Sequence, residues 1–231
     1  MSGSMTPHRR TETGLAALKE LFSPRLRRRT LVSMTFYVCQ VIPFFAIFSF
    51  APQILSAIGM TGNYSGSIVL NGFLLAGAVV GVFVMDRISR RNLLVWTFAI
   101  CAVTLIPLGI WTDAPIGLAM VVFCVFAFVL SGACNLNTTY PGELCPTELR
   151  ATGIGASVAA SRVGSAAGTF LFPIGIAHLG LGPILLIEAA VLVIGGVVCA
   201  LWAVETRGIT LNDAAGTPVP SPITSLEAKL D

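Results

Sequence analysis

Residues 140–155 read YPGELCPTELRATGIG, and this polar stretch lies between two long apolar segments. It contains two glutamates, an arginine and two prolines, and a segment rich in glycine and serine follows it. Charged groups are not tolerated unpaired in lipid, so such a stretch must lie at the membrane interface or face other protein groups. We therefore interpret it as a connecting loop of a membrane protein.

The composition supports this interpretation. The chain has 231 residues, of which 55% are hydrophobic and only 11% are charged, and its mean hydropathy is +0.86. Soluble globular proteins have about 25% charged residues. A segment that crosses a bilayer must satisfy its backbone hydrogen bonds internally, which favours helices. The composition thus predicts an all-α, multi-pass membrane protein.

Six apolar segments are long enough for membrane-spanning helices of about 20 residues. They form a predicted transmembrane domain over residues 30–205, at about 30–55, 65–85, 92–111, 115–138, 152–177 and 182–203. Residues 1–29 form a basic arm, in which leucines at helical spacing predict an amphipathic helix on an anionic membrane surface; a disordered arm is the alternative. Residues 206–231 are polar and are predicted to be a disordered tail.

The arginines predict the orientation of these spans. They occur in the arm and in the loops on its side of the membrane, whereas the loops at 56–64, 112–114 and 178–181 contain no lysine or arginine. The positive-inside rule then places both termini in the cytoplasm. This topology also accounts for the net charge of +3, so we expect no nucleic-acid partner.

The chain has few residues that could form a metal site or an enzyme active site. Five of its six cysteines lie in apolar spans, where they are expected to be packing residues, and there are only two histidines. No pairing of a nucleophile with a base is evident. We predict no metal, no cofactor and no enzymatic activity.

Polar residues inside the spans are candidates for a solute cavity. Arg162 lies about 15 Å into a hydrocarbon core about 30 Å thick, where a charge needs a partner or a wet cavity. Tyr37, Gln40 and Phe44 follow one helical stripe, and aromatic rings with an amide are typical of small-molecule sites. Asn135, Asn137, Thr138 and Thr139 are polar enough to line a water path. The alternatives are a snorkelling arginine, ordinary core packing and an interfacial asparagine.

Two cytoplasmic loops carry the remaining candidates. An acidic residue and three arginines lie in one, and two glutamates with an arginine lie in the other: Asp86, Arg87, Arg90 and Arg91, then Glu143, Glu148 and Arg150. Carboxylates of one loop can pair with arginines of the other, or with a helix N-terminus, in one conformation and separate in another. The alternative is a pair of solvated loops whose positive charge only fixes the topology.

Three of these segments resemble motifs of the major facilitator superfamily. The run Pro146-Thr147-Glu148, with Arg150-Ala151-Thr152-Gly153, resembles the loop between helices ten and eleven in sugar porters and metabolite:H+ symporters. The loop with Asp86-Arg87 and Arg90-Arg91 resembles the motif between helices eight and nine, with Ser89 in place of a glycine. Glu205-Thr206-Arg207-Gly208 resembles the end of helix twelve in sugar porters, with Val204 in place of a proline.

The resemblance implies that the chain is the C-terminal six-helix half of such a transporter, helices seven to twelve, and that the arm is the linker between halves. It implies alternating access and proton-coupled symport of a small organic solute, a sugar or an organic acid or other metabolite, across the plasma membrane. In such proteins helices seven, eight, ten and eleven line the cavity, which favours Tyr37, Gln40 and Arg162 as site residues and an anionic solute.

Beyond the solute and the bilayer, the expected partner is a separate N-terminal half or a second copy of this chain. The alternative is a non-transporting remnant or an interaction partner in the membrane.

Overall fold

The computed structural model describes residues 14–24, 26–57, 65–111, 115–146 and 149–203. These ranges form nine helices and no strand: α1 (Gly14–Leu21), α2 (Arg27–Ser49), α3 (Ala51–Ala57), α4 (Ser65–Arg87), α5 (Arg90–Ile110), α6 (Ile116–Ala133), α7 (Leu136–Leu144), α8 (Arg150–Leu179) and α9 (Leu181–Trp202). Five of the helices in the described ranges are long and apolar enough to cross a membrane. The all-α membrane fold predicted from the sequence is confirmed.

The helix α8 is not one of those five, although it is 30 residues long. Its many glycines and serines, together with Arg162, lower its hydropathy. It nevertheless packs along α2, which is one of the five. With α8 counted and α1 set aside, the other eight helices make six segments, because α2 continues into α3 and α6 into α7.

Two predicted spans are interrupted in the structure. The segment predicted at 30–55 begins earlier, at Arg27, and breaks at Phe50, just before Pro52. Proline lacks a backbone N–H and is best tolerated in the first turn of a helix, which is the position of Pro52 in α3. The segment predicted at 115–138 breaks between α6 and α7 at Cys134 and Asn135, and α7 then continues to Leu144.

The helices pack in three main pairs, α5 with α9, α2 with α8 and α4 with α6, and α2 also packs on α9. An aromatic cluster joins several of them around Phe36 of α2. Its ring centre lies 6.2 Å from that of Phe98 on α5 and 5.9 Å from that of Tyr140 on α7, edge to face in both cases. All three side chains are fully buried, so α2 lies at the centre of the bundle.

The α4–α6 seam is built from small residues. A Cβ atom at Gly77 would collide with the backbone of Phe128, and one at Gly81 with the backbone of Gly132. Such residues allow close approach of helix backbones in membranes, where no hydrophobic effect drives helices together. Away from this seam α4 is the most exposed of the apolar helices, with 11% of its span buried.

The helix α1 corresponds to the amphipathic helix predicted in the arm. Leu21 and Ala17 are buried against Cys145 and Leu149, and Thr30 Oγ1 donates a hydrogen bond to the Leu21 carbonyl at 2.9 Å. The helix is thus docked on the loop that precedes α8.

Candidate solute cavity between α2, α7 and α8

A cavity of about 110 Å³ lies where α2, the α6–α7 junction and α8 meet. It brings together four of the five cavity residues predicted from the sequence. The lining side chains are Tyr37, Gln40, Val41, Phe44, Phe45, Cys134, Asn137, Ser161 and Arg162. The predicted stripe on α2 therefore faces Arg162 of α8 across one space.

Close packing of α2 on α8 positions Arg162 beside that stripe. A Cβ atom at Gly164 would lie 2.9 Å from Val38, and one at Gly168 would lie 3.1 Å from Ile42. Nearer the N-termini of α2 and α8, the hydroxyls of Ser33 and Ser157 share a hydrogen bond of 2.8 Å. The glycines and serines of α8 thus hold it against α2 on either side of the cavity.

Gln40 is buried, with 1% of its surface exposed, yet only one of the two polar atoms of its side-chain amide has a hydrogen-bond partner among the described residues. Its Nε2 donates to the Leu130 carbonyl at 3.5 Å and faces Cys134 Sγ at 3.7 Å. Its Oε1 has no hydrogen-bond partner among the described residues, and the same is true of Asn137 Oδ1. Buried acceptors of this kind normally have a partner, so both oxygens are expected to accept a hydrogen bond from water or solute.

The guanidinium of Arg162 is available to pair with a group from outside the described residues. Its side chain is exposed, and its guanidinium carbon lies 5.9 Å from the centre of the Phe45 ring. Such a cation–π contact is worth about 0.5–1 kcal/mol at an exposed position. No described carboxylate is within salt-bridge distance of Arg162. The cavity therefore combines one cation with two unsatisfied acceptors.

Asn135 does not line this cavity. Its Nδ2 donates to the Ala78 carbonyl at 3.0 Å and to the Gly132 carbonyl at 3.1 Å, so its amide belongs to the α4–α6 seam. The residue that reaches the cavity is Asn137, two positions later and about 200° around a helix. The sequence marks Asn137 by its polarity within an apolar region. It does not show the break between α6 and α7, which decides which asparagine faces the cavity.

The two charged segments predicted as loops contact each other. Arg90 Nε lies 3.5 Å from Glu143 Oε1, and Arg90 also donates to the Met85 carbonyl. Arg91 donates to the Ala200 carbonyl at the end of α9, and Arg87 is exposed. The start of α5 thus contacts α7 and α9.

The base of the α7–α8 loop is also cationic. Arg150 is half-buried and its Nε and Nη2 have no partner among the described residues. Burial raises the pKa of the Cys145 thiol, although Arg29 and Arg150 act in the opposite direction. The side chain of Asp86 and the residues Glu148, Glu205 and Arg207 lie outside the described part of the chain.

Within the described ranges no group of three or more histidine, cysteine, aspartate or glutamate residues could hold a metal ion.

Comparison with known proteins identifies the family. Residues 2–216 match the family described as "Sugar (and other) transporter". The inner membrane metabolite transport protein YgcS of Escherichia coli (strain K12) is 36% identical over 194 residues, which is 84% of this chain and 43% of that protein. The putative metabolite transport protein YaaU of the same strain is 34% identical over 204 residues, which is 87% of this chain and 46% of that protein.

A solved structure has the same fold. It is the major facilitator superfamily proton:xylose symporter XylE, bound to 6-bromo-6-deoxy-D-glucose, with a TM-score of 0.69 at 18% identity. The match covers 87% of this chain and 46% of that one, so the chain spans less than half the length of the relatives it matches. These relatives are transporters, in agreement with the prediction that the chain is not an enzyme. The chain is a multi-pass membrane protein, and it belongs to the sugar (and other) transporter family.

Proposed function

We propose that this chain forms one wall of a transporter for a small organic anion that also carries hydrogen-bond donors, such as a hydroxy-carboxylate. The observation that carries the proposal is the hydrogen-bonding state of the cavity: Arg162 has no described acidic partner, while Gln40 Oε1 and Asn137 Oδ1 lack donors. A guanidinium pairs with a carboxylate through two parallel hydrogen bonds. The amide oxygens would accept hydrogen bonds from hydroxyl groups of the same solute.

A neutral sugar fits this wall less well. It would satisfy the two amide oxygens but leave the arginine charge without a partner. The rings of Phe44 and Phe45 supply apolar surface beside the polar groups, which is common in small-molecule sites. The proposed solute is therefore an organic acid or sugar acid.

The wall is proposed to work by alternating access in a proton-coupled symporter. In this proposal α2 to α9 are helices seven to twelve of the superfamily, and a separate N-terminal half or a second copy of this chain supplies the facing wall. The extent of the matches supports the assignment of a single wall to these helices, since the chain spans less than half of each relative described above. We place both termini in the cytoplasm and the protein in the plasma membrane, because the arginines lie in the loops on one side.

We assign a gating role to the cytoplasmic charges. The contact between Arg90 and Glu143 joins α5 to α7 at the end of the bundle below the cavity. A charge pair of this kind can form in one conformation and separate in another, and Asp86, Arg87 and Glu148 would take part in it. In an assembled transporter, Glu143→Gln should change the accessibility of cysteines placed along the cavity. Unchanged accessibility would leave these charges with a topological role only.

The transport proposal is tested by uptake into proteoliposomes. Labelled hydroxy-carboxylates and matched neutral polyols are offered to this chain alone and to the chain co-reconstituted with the N-terminal half of YgcS. Carboxylate uptake that Arg162→Ala abolishes, and that Arg28→Ala on the exposed face of α2 leaves intact, is the expected result. Uptake by the chain alone would indicate self-assembly, whereas uptake only with the added half would indicate a split transporter. No uptake and no solute binding in either sample would favour the non-transporting alternative.

A further inference from the structure

The helix α9 carries a buried carboxyl group outside the solute cavity. Glu188 is 4% exposed, and its Oε2 has no hydrogen-bond partner among the described residues. It is not one of the residues that line the solute cavity. The residues one turn before and one turn after it, Leu185 and Leu192, are fully buried apolar side chains. An acidic group in such surroundings needs either a cationic partner or a proton.

Glu188 lies on the face of α9 that packs between α2 and α5. A Cβ atom at Gly195 would lie 2.7 Å from the Cβ of Cys39 on α2 and 2.8 Å from the ring of Phe98 on α5. Glu188 precedes Gly195 by about two helical turns, which brings it to nearly the same angle around the helix. The contacts with α5 and α2 are also the most extensive that α9 makes. The carboxyl group is therefore enclosed on the packed side of α9.

The helices that pack on α9 offer Glu188 no cationic partner. In the described part of the chain no basic side chain lies within salt-bridge distance of it, and no charged group acts on its carboxyl over a longer distance. The arginines of the neighbouring helices lie in the first turn of α2, α5 and α8, with the exception of Arg162, which lines the solute cavity. The other titratable side chains of these three helices are Tyr37 and Cys39 on α2, Cys101 on α5 and the exposed His178 at the end of α8.

A proton suits this position better than a metal cation. A metal cation such as Ca²⁺ or Mg²⁺ requires several oxygen ligands. Glu188 makes no hydrogen bond with any described residue, so no second oxygen ligand is in place beside it. A proton needs only the carboxylate itself, and its binding removes the cost of an unpaired charge among apolar side chains.

We propose that Glu188 is a proton-binding site of this chain, separate from the solute cavity. Its carboxylate takes up one proton from solvent, and the neutral acid stays buried where α9 packs on α2 and α5. Release of the proton to solvent leaves a charge that is stable only where water reaches it. Glu188 lies about 10 Å along the axis from the start of α9, so the turn between α8 and α9 is the nearer source of water.

The site does not depend on which solute the cavity takes, and proton binding is measured without solute. In the proton-coupled symport proposed above, Glu188 would place a proton site in this wall of the transporter. That extension rests on the proposed function, whereas the protonation of Glu188 does not.

Infrared spectroscopy of the purified chain in lipid nanodiscs measures the proton directly, because a protonated carboxyl group and a carboxylate absorb at different frequencies. At neutral pH the wild type should show the band of a buried protonated carboxyl group, and Glu188→Gln should lack it. Glu20→Gln, which replaces an exposed glutamate on α1, should retain it. The absence of the band from the wild type, or its persistence in Glu188→Gln, would overturn the proposal.

Thermal unfolding provides a second measurement. An exposed glutamate in the unfolded chain loses its proton above about pH 4.3, whereas the folded chain would retain the proton on Glu188 at neutral pH. Unfolding would then release a proton, so stability should fall as the pH rises. We expect the melting temperature of the wild type to fall from about pH 6 to about pH 8 relative to that of Glu188→Gln, whose amide has the shape of the neutral acid.

Two controls keep this measurement decisive. Glu188→Met, which is apolar and of similar length, replaces Glu188→Gln if the amide variant does not fold, and it should show the same weaker dependence on pH. Equal dependence on pH in the wild type and in the folded variant would contradict proton binding. Stabilisation of the wild type by Na⁺ in place of choline, absent from the variant, would identify a metal cation and would also overturn the proposal.

Discussion

The two asparagines at the α6–α7 break, Asn135 and Asn137, have different surroundings. Asn135 belongs to the α4–α6 seam, where its amide donates to the carbonyls of Ala78 and Gly132. Asn137 lies in the cavity between α2 and α8, and its Oδ1 has no partner among the described residues. They differ by two positions in the chain and by about 200° around a helix. The same residue type thus serves helix packing at one site and is available to a solute at the other.

The difference teaches that the state of hydrogen bonding, rather than polarity itself, distinguishes a packing region from a candidate binding region. At the seam, the Ser131 hydroxyl donates to the Leu74 carbonyl at 2.7 Å, and the amide of Asn135 also donates to backbone. In the cavity, Gln40 and Asn137 retain unsatisfied oxygens beside a cation. Substitutions at the seam should therefore reduce stability, and substitutions in the cavity should reduce binding.

The largest effect on stability is expected at the closest backbone contact of the seam. Gly77→Val introduces a side chain where a Cβ atom already collides with the Phe128 backbone. We expect the free energy of unfolding to fall by about 1–3 kcal/mol or more, as for other overpacked sites. Gly72→Ala on the same helix has no atom within 4 Å of the added Cβ and should not destabilise the protein. Equal losses for both variants in a detergent unfolding titration would argue against a tight seam.

Substitution of the two asparagines tests the comparison between the seam and the cavity directly. Asn135→Ala removes two hydrogen bonds to backbone and should lower the free energy of unfolding by about 1 kcal/mol, on the scale of polar contacts in membrane bundles. Asn137→Ala removes an oxygen that has no described partner, so stability should change little while solute affinity falls. Paired unfolding and binding measurements test this; a larger stability loss for Asn137→Ala would break the comparison.

A smaller effect is expected at Ser131. Its single hydrogen bond to the Leu74 carbonyl is part of the seam, and Ser131→Ala should destabilise the protein by about 0.6 kcal/mol. Among the described residues, Ser161, which lines the cavity, bonds only within its own helix, to the Val158 carbonyl at 2.7 Å. Ser161→Ala should leave stability unchanged. The unfolding titration used for the glycine variants measures both, and a reversed order would contradict the assignment of the seam.

The smallest effect is expected in the labelling of a cysteine in the loop that precedes α8. This loop is closely packed, as the α4–α6 seam is. Cys145 is buried against Gly153 and Leu21, and burial raises the pKa of its thiol. Since the thiolate is the reactive form, maleimide labelling of a variant whose only cysteine is Cys145 should be slow and should accelerate at a higher pH than for an exposed cysteine. Leu21→Asp, which undocks α1, should speed labelling. Rapid labelling at neutral pH without that change would show an open loop.

The sequence predicts much of this architecture and less of the site. Hydropathy places the apolar spans because lipid imposes a length and an apolar surface on each helix. Helical spacing brings Tyr37, Gln40 and Phe44 to one face, and the structure sets Arg162 opposite them. The break at Phe50 follows from Pro52, a feature of the sequence, whereas the break at Cys134 to Asn135 was not predicted, because it depends on how the chain packs. Because the second break was not predicted, the sequence did not show which of Asn135 and Asn137 faces the cavity.

The central claim is that the cavity between α2, α7 and α8 recognises a small anion through Arg162. The most direct measurement is the shift in melting temperature of the purified chain with hydroxy-carboxylates and with their neutral, amide-capped counterparts, for the wild type and for Arg162→Gln. A bound solute stabilises the folded state in proportion to the logarithm of its concentration over Kd. The account predicts that at least one carboxylate stabilises the wild type, that its neutral counterpart does not, and that Arg162→Gln removes the shift. Equal stabilisation by the charged and neutral solutes, retained in Arg162→Gln, would contradict it.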